Sequence, residues 1–210
     1  MATKSSLPLD VLQNCACPGA AYGANFTLKK MNRSHRSLID FTRKLYRIPP
    51  QAQVLDIGCG GGAHLAKLLK KQPTATVYGV DISPLSVRAS LNYNKKAVRQ
   101  GRIKVLQASV EKLPFADAQF QVVTASETVY FWPDLVANFR EVARVLAPGG
   151  LFMVCVDSDD PQAMAPYMAR ITGMRTFTRY QLIEAAQHAG FKDYRLQVSK
   201  QNQVCLLFYN

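Results

Sequence analysis

V-L-D-I-G-C-G-G-G, residues Val54 to Gly62, reads as the end of a β-strand running directly into a turn with almost no side chains. Gly58, Gly60, Gly61 and Gly62 can take φ > 0, and they let a ligand lie against bare backbone. The helix that follows, A-H-L-A-K-L-L-K-K, offers unpaired N–H groups and a positive dipole end to whatever is bound. This is a nucleotide-site pattern, and the residues on either side decide which nucleotide.

Downstream, T-V-Y-G-V-D is a β-branched strand ending in Asp81, 19 residues beyond Gly62. At that distance the acid ending a second strand reaches a ribose in nucleotide-binding βαβ units. An ionised carboxylate only accepts hydrogen bonds and a vicinal diol can donate two. Pro84 suits the first turn of the next helix, and I-K-V-L-Q is a third strand. Then S-V-E-K-L-P-F-A-D-A-Q-F leads into a fourth, Q-V-V-T-A-S, which releases the aromatic loop E-T-V-Y-F-W-P. Pro133 begins a helix running through Val145, closed by the glycines of L-A-P-G-G. L-F-M-V-C-V is a fifth strand, apolar throughout as expected when both faces are covered. A helix over Arg179–Ala189 and strands at Tyr194–Val198 and V-C-L-L-F-Y complete the chain. The alternation predicts an α/β fold, a doubly wound, mostly parallel sheet with helices on both faces and its site at the strands' carboxyl ends.

Upstream, residues 1–50 read as a leader and a lid helix, and residues 51–210 as the domain itself. From Ser34 the pattern places Leu38, Phe41 and Leu45 on one helical face, and Pro49 and Pro50 stop it. No apolar run reaches the ~18 residues a membrane span requires, and no signal peptide is evident. The five cysteines are odd in number and scattered, fitting reduced thiols in the cytoplasm better than a disulfide framework. The net charge of +12 fits either a solvated basic surface or a polyanion site.

A dinucleotide turn wants G-x-G-x-x-G, whereas the spacing here is G-x-G-G-G. Asp56, two residues before the first glycine, would repel a pyrophosphate and suits a cationic amino-acid end, which favours S-adenosylmethionine over NAD. Here the chain resembles the class I, seven-stranded, Rossmann-like S-adenosylmethionine-dependent methyltransferases of the type 11/25 branch. V-L-D-I-G-C-G-G-G, Y-G-V-D-I-S, S-V-E-K-L-P-F and E-V-A-R-V-L-A-P-G-G-L-F occur in the family's order, over roughly Val54 to Val156.

The resemblance implies that Gly58, Gly60 and Gly62 wrap the methionine part of the cofactor, with Asp56 near its ammonium. Asp81 would hold the ribose hydroxyls, Ile82 would pack on adenine, and Val110 would offer its backbone N–H to the adenine edge. Ser109 stands where the family often has an aspartate. The loop after the fourth strand lacks the N/D-P-P-aromatic grip of base-amine methylases, and no Pro-Cys pair supplies a cytosine nucleophile. A small-molecule acceptor is therefore favoured over nucleic acid. An RNA- or protein-directed enzyme, or a non-catalytic cofactor-binding module, are the alternatives.

Glu127 is the first candidate for acceptor contact or general base, a loop acid being the alternative. His35, in the lid helix, is the second. Tyr130, Phe131 and Trp132 are candidates for an apolar acceptor pocket, with Tyr130 and Trp132 the leading pair, although aromatics more often pack the core. His64 reads as a first-turn helix residue or a contact to the cofactor's carboxylate. Asp157, Asp159 and Asp160 read as helix-capping rather than metal-binding, and no metal is expected.

Overall fold

In the computed structural model, Leu28 and residues 36–210 are described; His35 lies outside them. Seven strands are present: β1 (Gln53–Ile57), β2 (Thr76–Asp81), β3 (Ile103–Gln107), β4 (Phe120–Ser126), β5 (Leu146–Val156), β6 (Asp193–Val198) and β7 (Val204–Tyr209). They form one sheet in the order β3-β2-β1-β4-β5-β7-β6. β3, β2, β1, β4 and β5 run parallel, and β7 alone is antiparallel to both neighbours. The strand order reverses between β1 and β4, and such a switch point opens a crevice at the carboxyl ends.

The helices are α1 (Arg36–Thr42), α2 (Ala63–Lys71), α3 (Pro84–Tyr93), α4 (Lys95–Arg99), α5 (Leu135–Val145), α6 (Pro161–Met168) and α7 (Arg179–His188). Successive strand residues point to opposite faces, and the core divides accordingly. Leu55, Val123, Phe152, Val154 and Leu206 pack with α5 and α7 residues Phe139, Val142 and Leu182. Val54, Val122, Met153, Cys155 and Leu207 face the other way, onto Leu38 of α1 and Leu65 and Leu68 of α2.

Three boundaries differ from the sequence reading. α1 stops at Thr42, well before Pro49, because Lys44 N–H and Leu45 N–H bond back to Phe41 and Thr42 in tighter i−3 turns. The later helix starts at Leu135 rather than Pro133, because Asp134 caps it by accepting from Ala137 N–H at 2.9 Å. L-A-P-G-G does not close that helix. Leu146 pairs with Phe120 and Leu151 with Val122, so the four residues between bulge out of β5, with Gly149 at φ 70. Gly149 N–H is taken up by the Asn210 carbonyl at 3.2 Å, so the segment pins the chain end rather than capping a helix.

Removing the α5 cap with Asp134→Ala should cost about 1 kcal/mol and lower Tm by roughly 2–4 °C for a domain of this size. Thermal melts check it; an unchanged Tm would show that water replaces the cap.

Candidate cofactor and acceptor site

A cavity of about 200 Å³ opens at the switch point, lined from the ends of β1, β2 and β4, the loop after β3, and Ile39 of α1. The glycine turn is held down by Gly58 and Cys59 N–H groups bonding to the Val80 carbonyl at 2.8 and 3.0 Å. Gly58, at φ +75, faces the loop after β4: an added Cβ would lie 2.4 Å from Thr128 Oγ1. Gly60 borders the cavity, and its N–H donates to Asp81 Oδ2 at 2.9 Å.

Gly62 does not line the cavity. It is turned toward α3, where an added Cβ would meet Ser90 Oγ at 2.4 Å and Asn94 Nδ2 at 2.6 Å, and Asn94 donates to the Gly62 carbonyl at 2.9 Å. Its glycine requirement comes from helix packing, not from ligand contact. The sequence pattern of four glycines does not distinguish these two roles.

Asp56 and Asp81 stand at neighbouring strand ends on the cavity wall. Asp56 is buried, its Oδ1 accepting from Thr124 Oγ1 at 2.7 Å and lying 3.0 Å from His64 Nδ1. His64 is thus a buried partner of Asp56 rather than an ordinary first-turn residue. The signal in the sequence was its position one turn beyond an acid-glycine loop, which places it over the strand end. Asp81 Oδ1 also accepts from Ser83 N–H at 2.9 Å. Burial pushes its carboxyl above the usual range, and the Ser83 and Gly60 N–H groups oppose that.

Ile82 is 48% exposed on the rim, an apolar surface available to a flat ring. Val110 is buried and Ser109 half-buried beside it, the Ser109 hydroxyl donating to Glu111 at 2.9 Å. Ser126, which also lines the cavity, has a buried hydroxyl with no hydrogen-bond partner, and the buried Ser86 hydroxyl faces the Asp81 carboxyl. A buried orphan hydroxyl costs about 1–3 kcal/mol, so Ser126 fits a polar ligand that would satisfy it. Two carboxylates that accept, together with hydroxyls that can accept or donate, suit an amino-acid nucleoside.

Residues 55–154 match the model of the methyltransferase domain family. Over these residues the chain is similar to a methyltransferase domain. It is similar to a sterol 24-C-methyltransferase of Gibberella zeae, 33% identical over 134 residues, covering 64% of this chain and 34% of that one. The chain spans about a third of the length of such relatives. Its fold is similar to a SAM-dependent methyltransferase from Aquifex aeolicus, with TM-score 0.72, 16% identity, and coverage of 87% and 96%. It is also similar to a geranyl diphosphate C-methyltransferase from Streptomyces coelicolor, with TM-score 0.69, 14% identity, and coverage of 91% and 85%.

On the other side of the cavity lie Ile39, Glu127, Thr128, Phe131, Trp132 and Pro133. Of the aromatics, Phe131 is half-buried against the cavity, whereas Tyr130 is buried in the core and does not line it. The 3₁₀ turn over Val129–Phe131 rotates successive side chains by a third of a turn, which separates them. Trp132 touches the cavity but is 3% exposed, stacked 6.4 Å from Phe152 and edge-on to Phe139 at 5.7 Å. Arg175 fastens this loop, donating to the Trp132 and Pro133 carbonyls.

Glu127 takes φ 58, a left-handed conformation rare outside glycine and asparagine. Its carboxyl turns inward, Oε1 accepting from Asp157 N–H at 2.5 Å and from Tyr130 OH at 3.2 Å. Burial first, then the Asp157 charge, push it well above the ordinary glutamate value of 4.5, against those two donors. The fold therefore favours the protonated form. That contribution to stability is complete below about 4.5 and declines as pH rises toward the folded value. Glu127→Gln, which keeps an acceptor oxygen and cannot ionise, should melt higher than wild type at pH 8 and nearly level with it at pH 5. A difference independent of pH would contradict the assignment.

Among the described residues no group of three or more His, Cys, Asp or Glu is placed to hold a metal. Asp159 pairs with Arg179 at 2.5 Å, Asp160 caps α6 by accepting from Gln162 N–H at 2.9 Å, and Asp157 accepts from Gln203 at 2.9 Å. No helix among the described residues is long and apolar enough to cross a membrane.

Proposed function

We infer that the protein is an S-adenosylmethionine-dependent methyltransferase whose acceptor is a small, largely apolar molecule. The observation carrying this is one cavity at the β1/β4 switch point, polar along Asp56, Gly60 and Asp81 and apolar along Ile39, Phe131, Trp132 and Pro133. Asp56, held by Thr124 and His64, would face the methionine ammonium; Asp81 would accept from both ribose hydroxyls; Ile82 and Val110 would flank adenine. When bound, the cofactor supplies an activated methyl for in-line displacement. The chain's share is alignment of the acceptor and exclusion of water, the work of Ile39 and the loop from Glu127 to Pro133.

Glu127 abstracts a proton only when ionised, and its environment opposes ionisation, so it serves better as a fixed hydrogen-bonding group at the acceptor side. A cytoplasmic setting belongs to the same reading, since Cys155 and Cys205 face each other across β5 and β7 as free thiols. Relatives named for sterols support an apolar acceptor. Incubation with methyl-labelled S-adenosylmethionine and a lipid-soluble metabolite extract tests this. Label should pass to an organic-soluble product; label found only in RNA or protein would replace the small-molecule reading.

A further inference from the structure

The positive charge of this chain is segregated. Residues 36–104 hold thirteen Lys and Arg against three Asp, whereas residues 105–210 hold nine basic and ten acidic residues. Of the three aspartates, Asp56 is buried and Asp81 lines the cavity. Only Asp40 faces the cations of this half, and it is already engaged by Lys67 at 3.1 Å and Arg43 at 3.9 Å.

The excess gathers at one end. Lys71 donates to the Arg43 carbonyl, Gln72 to that of Ile48, and Arg102 to that of Ala75, just before β2. These bonds tie the ends of α1 and α2 and the entry to β3 into one rim at the amino ends of the strands. The cavity is at the carboxyl ends, about 13 Å away along the nine residues of α2. Arg99 at the end of α4 and Lys104 of β3 continue the rim, both exposed, whereas Lys95 and Lys96 follow Asn94, whose side chain bonds to the Gly62 carbonyl at the other end of α2.

Helix dipoles account for Lys70, Lys71, Lys96 and Arg99 in the last turns of α2 and α4. They do not account for Lys44 or Arg47, while Arg43 pairs with Asp40 at 3.9 Å and Lys104 lies over the Tyr78 ring at 5.0 Å. Within the rim the cations repel one another: burial first, then Arg43 and Arg47, hold the Lys71 amine below its usual range. Like charges kept together against their own repulsion form a surface that an anion stabilises.

We propose that this rim is a docking surface for the phosphate backbone of a nucleic acid, which holds the protein without entering the cavity. A specific protein interface has an apolar centre and few lysines, whereas nucleic-acid interfaces are far more positive. The rim is rich in lysine and lacks an apolar centre. A membrane surface needs an apolar band to insert, and docking by this end would turn the cavity away from the lipid.

The test is fluorescence anisotropy of the full chain with labelled 20-base-pair duplexes of RNA and, separately, of DNA, from 50 to 200 mM salt. Binding should weaken about a thousandfold over that range. K44E/R47E/R99E, all exposed rim positions, should lose at least tenfold affinity at 100 mM salt and flatten the log–log salt slope by about 3. K192E/R195E/K200E, with the same change in net charge, should lose less than twofold; those three exposed residues lie on and beside β6. K44Q/R47Q/R99Q repeats the test should the reversal not fold. Preference for one duplex identifies the natural partner's class. Equal losses in both triple variants, no duplex binding at 100 mM salt, or binding only to phosphatidylserine vesicles or polyglutamate, would overturn the proposal.

Discussion

Asp81→Ala is expected to weaken S-adenosylhomocysteine binding at least tenfold, about 1.4 kcal/mol, while leaving the fold intact. The carboxyl sits at the end of β2 on the cavity wall, and only two of its contacts, Gly60 N–H and Ser83 N–H, are backbone donors of the protein. A carboxylate has about four lone-pair sites, which leaves room for both hydroxyls of a ribose. Hydrogen bonds to a charged group contribute about 1.5–3 kcal/mol, so the loss can exceed a hundredfold. Asp81→Asn should fall between, keeping one acceptor oxygen. Calorimetric titration reads the affinity and circular dichroism the fold; unchanged affinity in a folded Asp81→Ala protein would remove the ribose assignment.

Gly62→Ala is expected to be the most damaging change to the fold for its size. An alanine at φ +79 bears left-handed strain of about 1–2 kcal/mol. Its Cβ would also lie 2.8 Å from the Ser90 Cα, a backbone atom that moves only if α3 moves, and such overpacking costs about 1–3 kcal/mol. A total of about 3 kcal/mol is a large part of a marginal stability of 5–15 kcal/mol. Gly60→Ala is the internal control: at φ +51 its Cβ meets nothing within 4 Å, so only the backbone strain of about 1–2 kcal/mol applies. Urea titrations should separate the two by about 2 kcal/mol. Equal losses would show that Gly62 is not wedged between α2 and α3.

The sheet was legible in the sequence because β-branched runs ending in Asp56, Asp81 and Ser126 alternate with helices of regular apolar spacing. Each of the seven strands covers a run read as a strand, with β5 extending back to Leu146 beyond L-F-M-V-C-V. The bulge at L-A-P-G-G was not legible, because the same proline and glycines that end a helix also interrupt a strand, and only the Asn210 contact decides between them. The cavity was legible where chemistry sits on strand ends, since an acid at the end of a parallel strand has one direction to face. Asp56, Gly58, Gly60, Asp81, Ile82, Ser109, Val110, Glu127 and Trp132 all line it. Legibility fails where a side chain's direction depends on turn geometry. Tyr130 and Phe131 exchange places through a 3₁₀ turn, and Gly62 faces α3 because α2 begins there. The buried hydroxyls of Ser86 and Ser126 depend on contacts across β2 and β4, which no local pattern encodes, whereas His64 is set over Asp56 by its place one turn beyond the acid-glycine loop.

The central claim, that the acids at the ends of β1 and β2 select an amino-acid nucleoside over a dinucleotide, is tested most directly by calorimetric titration of the wild-type protein with S-adenosylhomocysteine and, separately, with NADH. Saturable binding of one S-adenosylhomocysteine per chain, with no heat from NADH, is the result expected. Tight binding of NADH with none of S-adenosylhomocysteine would contradict it.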